Sequence, residues 1–346
     1  MRVCILHDKP ESSLSVDDAD TIVQAQAVAN ALREAGHTVF FCHFELDLTA
    51  VAKTIRALSA DLVFNFVEGA GGKAHLSHLA PLVLEEEGVA FTGAGSRAMY
   101  LSTDKLTAKE LLAHSDLPTP AWVTVESLRR ANSASMIDRF DAERRFILKS
   151  VFEHASKGLD DGCVLQAASS MLLETALEEK RASQGGRNFA EEYIHGREFN
   201  VSVIDTPDGP RALPVAEIVF RGFSGPVAIV GYEAKWDEAS FAYHNTPRRY
   251  DFNEDDAVLI ENLKRLSLAC GRLFGLRGYY RIDYRVDAGR HPFIIDVNAN
   301  PCLSPDAGLA AAAARSHIDY TELVRIIALS GCCSVGNAWA LNRRAA

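Results

Sequence analysis

The chain contains 346 residues, of which 48% are hydrophobic and 24% are charged. This length and composition suffice to bury a large core and to form two or three domains. The formal net charge of −10 argues against a nucleic-acid groove or an anionic membrane surface as the main partner. No apolar run approaches the length of a transmembrane helix, so a globular protein is expected.

The opening MRVCILHDK is predicted to be a first strand, because it lacks the features of a secretory signal. The seven cysteines have no metal-ligand spacing and suit a reducing compartment. A cytoplasmic protein with free thiols is therefore expected.

The N-terminal third alternates short β-branched or aromatic runs with stretches of helical period. The runs RVCIL, TVFFCHF and DLVFNFV predict a parallel α/β sheet. The glycine-rich EGAGGKAH follows the third run, at the sheet edge where such proteins bind ligands. Its spacing does not fit a dinucleotide fingerprint, so an ordinary connection is the favoured interpretation.

The middle of the chain predicts an α+β region. Ser102 or Thr103 is expected to cap a helix within STDKLTAKELLAH, which the prolines of SDLPTPAW end. Strands are predicted for RRFILKS and NFAEEYIHG, separated by a helix over SMLLETALEEKRA. A hairpin is predicted around residues 207–209.

Residues 279–301, YYRIDYRVDAGRHPFIIDVNANP, predict a second hairpin that carries acids within its strands. Strand alternation places Arg281 and Asp283 on one face and, likewise, Asp296 and Asn298 on one face. If the register aligns these faces, two carboxylates and an amide oxygen converge. An amphipathic hairpin with its polar side in water would give the same pattern.

Two physical arguments favour a cation site in this hairpin. Asp and Asn are disfavoured in strands. Two carboxylates about 5 Å apart would repel by roughly 3 kcal/mol at an effective dielectric near 20 unless a cation lay between them. Mg²⁺ prefers oxygen ligands and keeps positions open for phosphate oxygens, so a magnesium–nucleotide site is predicted.

Further candidates lie upstream. Lys149 ends a predicted strand before a polar loop with small residues at Ala155, Ser156 and Gly158, and a lysine with such a loop suits phosphates. A solvated lysine at a strand end is an equally good interpretation of Lys149. The segment AEEYIHGREFNV offers acceptors for adenine and ribose, or merely surface acids, at Glu191, Glu192 and Glu198.

Taken in order, these segments resemble the ATP-grasp superfamily, specifically relatives of D-alanine–D-alanine ligase. The resemblance spans about residues 60–330 and includes DK at 104–105, ILKS, EEYIHGREFNV, YEAKW, YYRIDY and IIDVNANP. It implies an ATP-grasp fold of mixed α/β and α+β class. The implied parts are a parallel α/β pre-ATP-grasp domain (1–102), a small central α+β subdomain (103–195), a C-terminal α+β subdomain with the magnesium site (196–332) and a tail (333–346).

The resemblance implies that ATP activates a carboxylate as an acyl phosphate and that an amine displaces the phosphate. Both steps build charge on oxygens, which preorganised cations stabilise without a protein nucleophile. The implied cofactors are ATP and Mg²⁺, with two ions. The implied partners are small carboxylate and amine substrates and a second copy of the chain.

The resemblance also assigns roles position by position. Phosphates would contact Lys105, Lys149 and a lid that includes Glu153, Ala155, Ser156 and Gly158. Adenine and ribose would contact Glu191, Glu192, Ile194 and Glu198. The implied metal ligands are Asp283, Asp296 and Asn298. Arg281 would steady the transferring phosphate, and Lys235 would lie on a loop that closes over phosphates and substrate.

The substrate positions depart from the family pattern. The first strand–helix loop has no clear counterpart of the glutamate that grips the first amino acid. The lid serine and its tyrosine partner align with Ala155 and Trp236. A glycine and a serine that follow the metal ligands align with Cys302 and Ala307, and Asp306 is a further candidate for substrate contact. Both substrate pockets are therefore expected to be rebuilt.

The predicted function is an ATP-dependent carboxylate–amine ligase with amino-acid-like substrates. D-alanine–D-alanine ligase itself, an ester-forming enzyme and a nucleotide-binding regulator without turnover are the alternatives. Cys302 as a nucleophile is less favoured, because its backbone N–H suffices for the implied role.

Overall fold

The computed structural model describes residues 1–9, 16–130, 144–153, 156–167, 169–225 and 227–342. Ala155, one of the predicted site residues, lies outside these ranges. Within the described ranges, none of the helices combines the length and the apolar character that crossing a bilayer demands.

The N-terminal region contains the predicted parallel sheet, with strand order β2-β1-β3. Its elements are β1 (Arg2–Asp8), α1 (Val16–Glu34), β2 (Thr38–Phe44), α2 (Leu48–Leu58) and β3 (Leu62–Asn65). Val3 and Ile5 of the central strand face the core that includes α1, whereas Cys4 and Leu6 face the core that includes α2. Both faces of β1 are covered, which explains its continuous apolar run.

The glycine-rich segment after β3 forms a tight turn. Ala70 and Lys73 exchange two backbone hydrogen bonds of 3.2 Å across Gly71 and Gly72, which both have positive φ. Glycine suits these positions because a side chain is strained there. A 3₁₀ turn (Ala74–Leu76) leads into α3 (Leu79–Glu86).

The predicted helix cap at Ser102 or Thr103 is wrong. Both residues lie in the last turn of α4 (Ser96–Thr103), and α5 (Lys105–His114) begins two residues later. The cap is Asp104, whose side chain accepts the N–H groups of Leu106 and Thr107 at 3.0 Å. Two consecutive helices share a junction here, and the carboxylate at that junction satisfies the free amides of the second helix.

The central region is an antiparallel sheet with strand order β4-β7-β5-β6. Its strands are β4 (Trp122–Val123), β5 (Arg145–Ser150), β6 (Val164–Gln166) and β7 (Asn188–Glu192). Helices α6 (Val125–Arg130) and α7 (Ser170–Gln184) accompany the sheet. Leu173 and Leu177 of α7 pack in one core with Phe146 and Leu148 of β5, which leaves the other face of the sheet for the cavity described below.

The C-terminal region contains a larger antiparallel sheet, ordered β11-β10-β8-β12-β13, with β9 also paired to β8. Its strands are β8 (Arg197–Thr206), β9 (Gly209–Ala212), β10 (Ala216–Ile218), β11 (Arg248–Arg249), β12 (Tyr279–Val286) and β13 (Pro292–Asn298). Both predicted hairpins are present, as β8–β9 and β12–β13. Two short helices, α8 (Tyr232–Trp236) and α9 (Phe241–His244), precede α10 (Ala257–Phe274), whose apolar side covers this sheet.

The two last helices, α11 (Gly308–Ala314) and α12 (Tyr320–Asn342), return to the N-terminal sheet. Leu309 and Ile327 share a core with Val3 and Phe64 of that sheet. Asp319 caps the last helix, since its side chain accepts the N–H of Glu322 at 2.8 Å. Helix α12 continues through the predicted start of the tail at residue 333. The domain limits themselves stay a prediction.

Candidate active site

A cavity of about 620 Å³ is lined by both antiparallel sheets, by α1 and by the loops between them. Every predicted site residue that the structure describes lines this cavity. These residues lie between positions 105 and 307 of the sequence, so their assembly at one place depends on the fold. Convergent charged groups in one large cavity are typical of a ligand site.

The acidic hairpin has the register that the predicted site requires. Arg281 lies directly opposite Asn298, and Asp283 lies directly opposite Asp296. The expectation that these side chains share a face is therefore confirmed. An irregularity follows Asp283, where the pairing shifts by one residue before Tyr284. Such bulges re-aim side chains and are frequent beside active sites.

Asp283 is surrounded by donors. Its carboxylate accepts two hydrogen bonds from Arg281, at 2.7 and 2.9 Å. Asn200 and Asn298 donate their amides to it at 2.8 and 3.0 Å. Burial disfavours the charged form of Arg281, but Asp283 outweighs it and raises the pKa of the guanidinium. The guanidinium of Arg281 thus offsets the charge of Asp283 and reduces the repulsion expected between the two aspartates. Sequence reasoning placed both residues on one face but missed this pairing.

The oxygen chemistry of this hairpin fits Mg²⁺. No group of three or more His, Cys, Asp or Glu side chains within the described ranges is arranged to hold a metal ion. The candidate set instead combines two carboxylates with one amide. Carboxylate and amide oxygens are hard ligands of the kind that Mg²⁺ takes, usually from only one or two carboxylates. Asp283, Asp296 and Asn298 therefore remain the residues that would hold the ion.

Glu191 joins two lysines on the central sheet. Its carboxylate lies 2.6 Å from the ammonium of Lys149 and 2.5 Å from that of Lys109. Burial opposes ionisation, but these two ammonium groups outweigh it and hold the pKa of Glu191 below its ordinary value. The predicted contact between Glu191 and adenine stays a prediction. In the structure the carboxylate holds Lys149 at the cavity.

Lys105 and the lid residues are also connected. The ammonium of Lys105 donates to the carbonyl of Glu153 at 2.6 Å. Burial lowers the pKa of Lys105. The hydroxyl of Ser156 donates to the carbonyl of Val230 at 2.9 Å, and the ammonium of Lys180 donates to the carbonyl of Gly158 at 2.8 Å. The described part of the lid is thus tied through Ser156 to the segment that precedes α8 and through Gly158 to α7.

The YEAKW segment, expected to be a loop, forms the short helix α8. Its first N–H, from Tyr232, donates to the carbonyl of Leu159 at 2.9 Å. A Cβ on Gly231 would lie 2.7 Å from that same carbonyl oxygen, so glycine permits the close approach. Lys235 points from this helix to the cavity. Burial lowers the pKa of Lys235, and Arg281 acts in the same direction.

The predicted ribose-binding side of the cavity contains a second buried charge pair. Glu198 lies 3.5 Å from Arg285. Burial raises the pKa of Glu198, and Arg285 only partly offsets this effect. Arg285 also donates to the hydroxyl of Tyr193 at 2.8 Å. Glu192, near Arg144 at 3.8 Å, and Ile194 line the same cavity.

The predicted substrate end contains Asp20, which sequence reasoning missed. Asp20 lies on α1 and accepts hydrogen bonds from the hydroxyl of Ser304 at 3.0 Å and the thiol of Cys302 at 3.2 Å. Burial, reinforced by Asp20, raises the pKa of Cys302 to about 12. Cys302 is therefore a neutral thiol near pH 7, which agrees with the preference against a nucleophile. In the sequence Asp20 belongs to the acidic run DDAD, where nothing distinguishes it.

Arg248 is a second missed residue at this end. It is exposed at the cavity and donates to the carbonyl of Asp306 at 3.0 Å. A Cβ on Gly308 would lie 3.4 Å from its Nε. Among the described residues no carboxylate lies within 4.0 Å of its guanidinium, whereas Arg249 beside it is paired with Glu217. Ala307 and Trp236 complete this part of the lining.

Comparison with known proteins agrees with the fold. Residues 111–328 match the family model described as the D-ala D-ala ligase C-terminus, which is more than half of the chain. Together the fold, the cavity and this match define an ATP-dependent carboxylate–amine ligase of the ATP-grasp class. Within that class the chain belongs to the D-Ala–D-Ala ligase C-terminus family.

Two relatives and one solved structure illustrate the similarity. A D-alanine–D-alanine ligase of Gluconobacter oxydans is 29% identical over 93% of this chain and 96% of its own length. An uncharacterised protein, y4sG, of Sinorhizobium fredii is 28% identical over 87% of this chain and 84% of its own length. The structure of D-alanine–D-alanine ligase from Bacillus anthracis complexed with ATP has a TM-score of 0.73 at 17% identity and covers 98% of this chain and 99% of that one. The last similarity shows the fold.

Proposed function

We propose that the protein joins the carboxylate of one small amino-acid-like substrate to the amine of another. ATP would phosphorylate the carboxylate, the amine would displace the phosphate, and ADP and phosphate would be released. The observation that carries the proposal is the single cavity in which lysines and an arginine face the paired aspartates of the β12–β13 hairpin.

Preorganised cations suit this chemistry. Lys105, Lys149 and Lys235 would contact the phosphates, and Arg281 would stabilise the charge that develops on the transferred phosphoryl group and on the tetrahedral intermediate. Such stabilisation of developing oxygen charge is a large contribution to phosphoryl and acyl transfer. Because Arg281 is fixed by Asp283 at 2.7 Å, its position is set before the ligand binds.

Mg²⁺ would be held by Asp283, Asp296 and Asn298, and we propose two ions, as the family resemblance implies. Bound Mg²⁺ supplies positive charge that neutralises phosphate oxygens. Glu198, Ile194 and the backbone of Glu192 would contact ribose and adenine. The described lid residues Glu153, Ser156 and Gly158 would cover the phosphates.

The substrate end supports amino acids as the substrate class. Asp20 offers a carboxylate that suits an ammonium group, and Arg248 offers a guanidinium that suits a carboxylate. Opposite charges at one end of a cavity complement a zwitterion. D-alanine is one candidate, since relatives carry the name D-alanine–D-alanine ligase. The side chains at Cys302, Asp306, Ala307 and Trp236 would then set the selectivity.

An ADP-release assay over a panel of amino acids tests this function. Release that requires two amino acids, with an amide as product, is expected. Carboxamide analogues of each amino acid should be poor second substrates because they cannot pair with Arg248. Release that requires a hydroxy acid as acceptor would indicate an ester-forming enzyme, and tight ATP binding without release would indicate a regulator.

We also propose a homodimer, on the basis of the family resemblance. Light scattering of the purified chain tests it, and a monomeric mass at micromolar concentration would contradict it.

A further inference from the structure

Lys109 is a buried lysine that the proposed mechanism does not use. It lies on α5, is 4% exposed and does not line the cavity. Its ammonium contacts Glu191 at 2.5 Å and donates to the hydroxyl of Thr119 at 2.8 Å. Thr119 in turn donates to the carbonyl of Ile294 at 2.9 Å. Lys109 is therefore anchored between the central sheet and the acidic hairpin.

Glu191 contacts two buried ammonium groups, those of Lys109 and Lys149, although one would suffice to neutralise its carboxylate. Burying a charged group costs free energy unless it is paired. Lys149 and Glu191 alone would form a neutral pair, 2.6 Å apart, that needs no third charge. With Lys109 the carboxylate of Glu191 contacts two ammonium groups, so its negative charge is shared between them.

The positions of the three groups define how that charge is distributed. Each carboxylate oxygen of Glu191 faces a different lysine, Oε1 toward Lys149 and Oε2 toward Lys109. Lys109 therefore competes with Lys149 for the charge of one carboxylate. Lys149 also reaches the carbonyl of Ile295 at 3.5 Å, next to Asp296. With its counter-charge shared, Lys149 keeps the capacity to attract an anion.

We infer that Lys109 is a positioning residue that acts through Glu191 to orient Lys149 and to preserve its charge for the ATP phosphates. This inference rests on the proposed function, because it assigns Lys149 to phosphate. Lys149 already contacts Glu191 at 2.6 Å. Removal of Lys109 leaves Lys149 as the single ammonium partner of Glu191, so the whole carboxylate charge then offsets Lys149. The ATP phosphates then lose one ligand although Lys109 never contacts them.

A double-mutant cycle tests this inference. The variants are Lys109→Met, Glu191→Gln and the double variant, with Lys53→Met on the exposed side of α2 as the control. Mg·ATP affinity is measured by calorimetry on material whose thermal unfolding shows a folded state. Lys109→Met is expected to weaken Mg·ATP binding by about tenfold with Glu191 present and by no more than about twofold in the Glu191→Gln background. Lys109→Gln, which keeps a donor without the charge, replaces Lys109→Met if that variant does not fold.

The outcomes separate the two hypotheses. Equal weakening in both backgrounds, or unchanged affinity in a folded Lys109 variant, would overturn the role of Lys109 and leave the proposed function intact. A wild-type protein that is folded and does not bind Mg·ATP would overturn the proposed function, and with it the phosphate-facing role of Lys149.

Discussion

Charged side chains in the cavity already contact oppositely charged side chains before any ligand binds. Arg281 is paired with Asp283, and Lys149 is paired with Glu191. An incoming triphosphate must compete with these carboxylates for the lysine and the arginine. A cation that binds a carboxylate would weaken its hold on the positively charged side chain. Nucleotide and metal are therefore expected to bind together, since each offsets the charge that the other disturbs.

Asp296 lies opposite Asp283 and is the second carboxylate of the predicted metal site. Asp296→Asn is expected to reduce turnover by about 10²-fold or more, because charge stabilisation at the transferring phosphate is lost. Steady-state ADP release measures the effect. Asp208→Asn, in the exposed turn after β8, serves as the control. A near-normal rate for Asp296→Asn would remove this residue from the site.

Lys235 tests the role of α8. Lys235→Ala is expected to lower turnover by about 10²-fold while changing the midpoint of thermal unfolding little, since the residues of this short helix are only partly buried or exposed. Turnover and thermal unfolding are measured on the same preparation, with Lys264→Ala on α10 as the matched variant. If turnover is unchanged, Lys235 is a surface lysine. If unfolding shifts as much as turnover, its role is structural.

Between elements, one arginine links three parts of the C-terminal region. Arg197 at the start of β8 donates to Glu217 of β10 at 2.9 and 2.8 Å. It also donates to Asp256, just before α10, at 2.7 and 2.9 Å. These contacts raise the pKa of Arg197, and the hydrogen bonds with Glu217 contribute most to that rise. This network holds β8 in register with its neighbours, and β8 carries Glu198 into the cavity.

Arg197→Met is expected to lower the free energy of unfolding by about 2–3 kcal/mol, because two largely buried carboxylates each lose charged hydrogen bonds. Urea denaturation measures the change. Arg249→Met is the matched control: Arg249 also contacts Glu217 but is half-exposed, so about 1 kcal/mol or less is expected. Equal effects of the two variants would contradict the central role of Arg197.

For the molecule as a whole, the N-terminal sheet and the last two helices share one core, whereas the central sheet has its own. The cavity lies where these parts meet, because its lining includes α1, the central sheet and the C-terminal sheet. A ligand that fills the cavity contacts all three parts. Binding should therefore stabilise the whole chain against unfolding.

Mg·ATP at about one hundred times its dissociation constant is expected to raise the free energy of unfolding by about 2.7 kcal/mol. Differential scanning fluorimetry with and without Mg²⁺ measures the corresponding rise in the thermal midpoint. In Asp296→Asn the part of the rise that depends on Mg²⁺ should disappear. A folded wild-type protein with no rise at all would contradict nucleotide binding.

The sequence by itself determined the elements and the ordered motifs. Strand alternation predicted that Arg281 and Asp283 share a face, and local turn residues predicted the hairpin, because these properties depend on neighbours in the chain. The resemblance then predicted the family, and the described residues to which it assigned a role all line one cavity. The roles themselves stay predictions.

Only the tertiary structure decided which charges meet. Asp20 and Cys302 are in contact although 282 positions separate them, and Lys109 and Glu191 meet from different elements. Nothing local marks one acid in a helix, or one lysine four positions after another, as buried. Burial and long-range pairing determine the charge state and the role of these side chains. Both arise only when distant segments pack together.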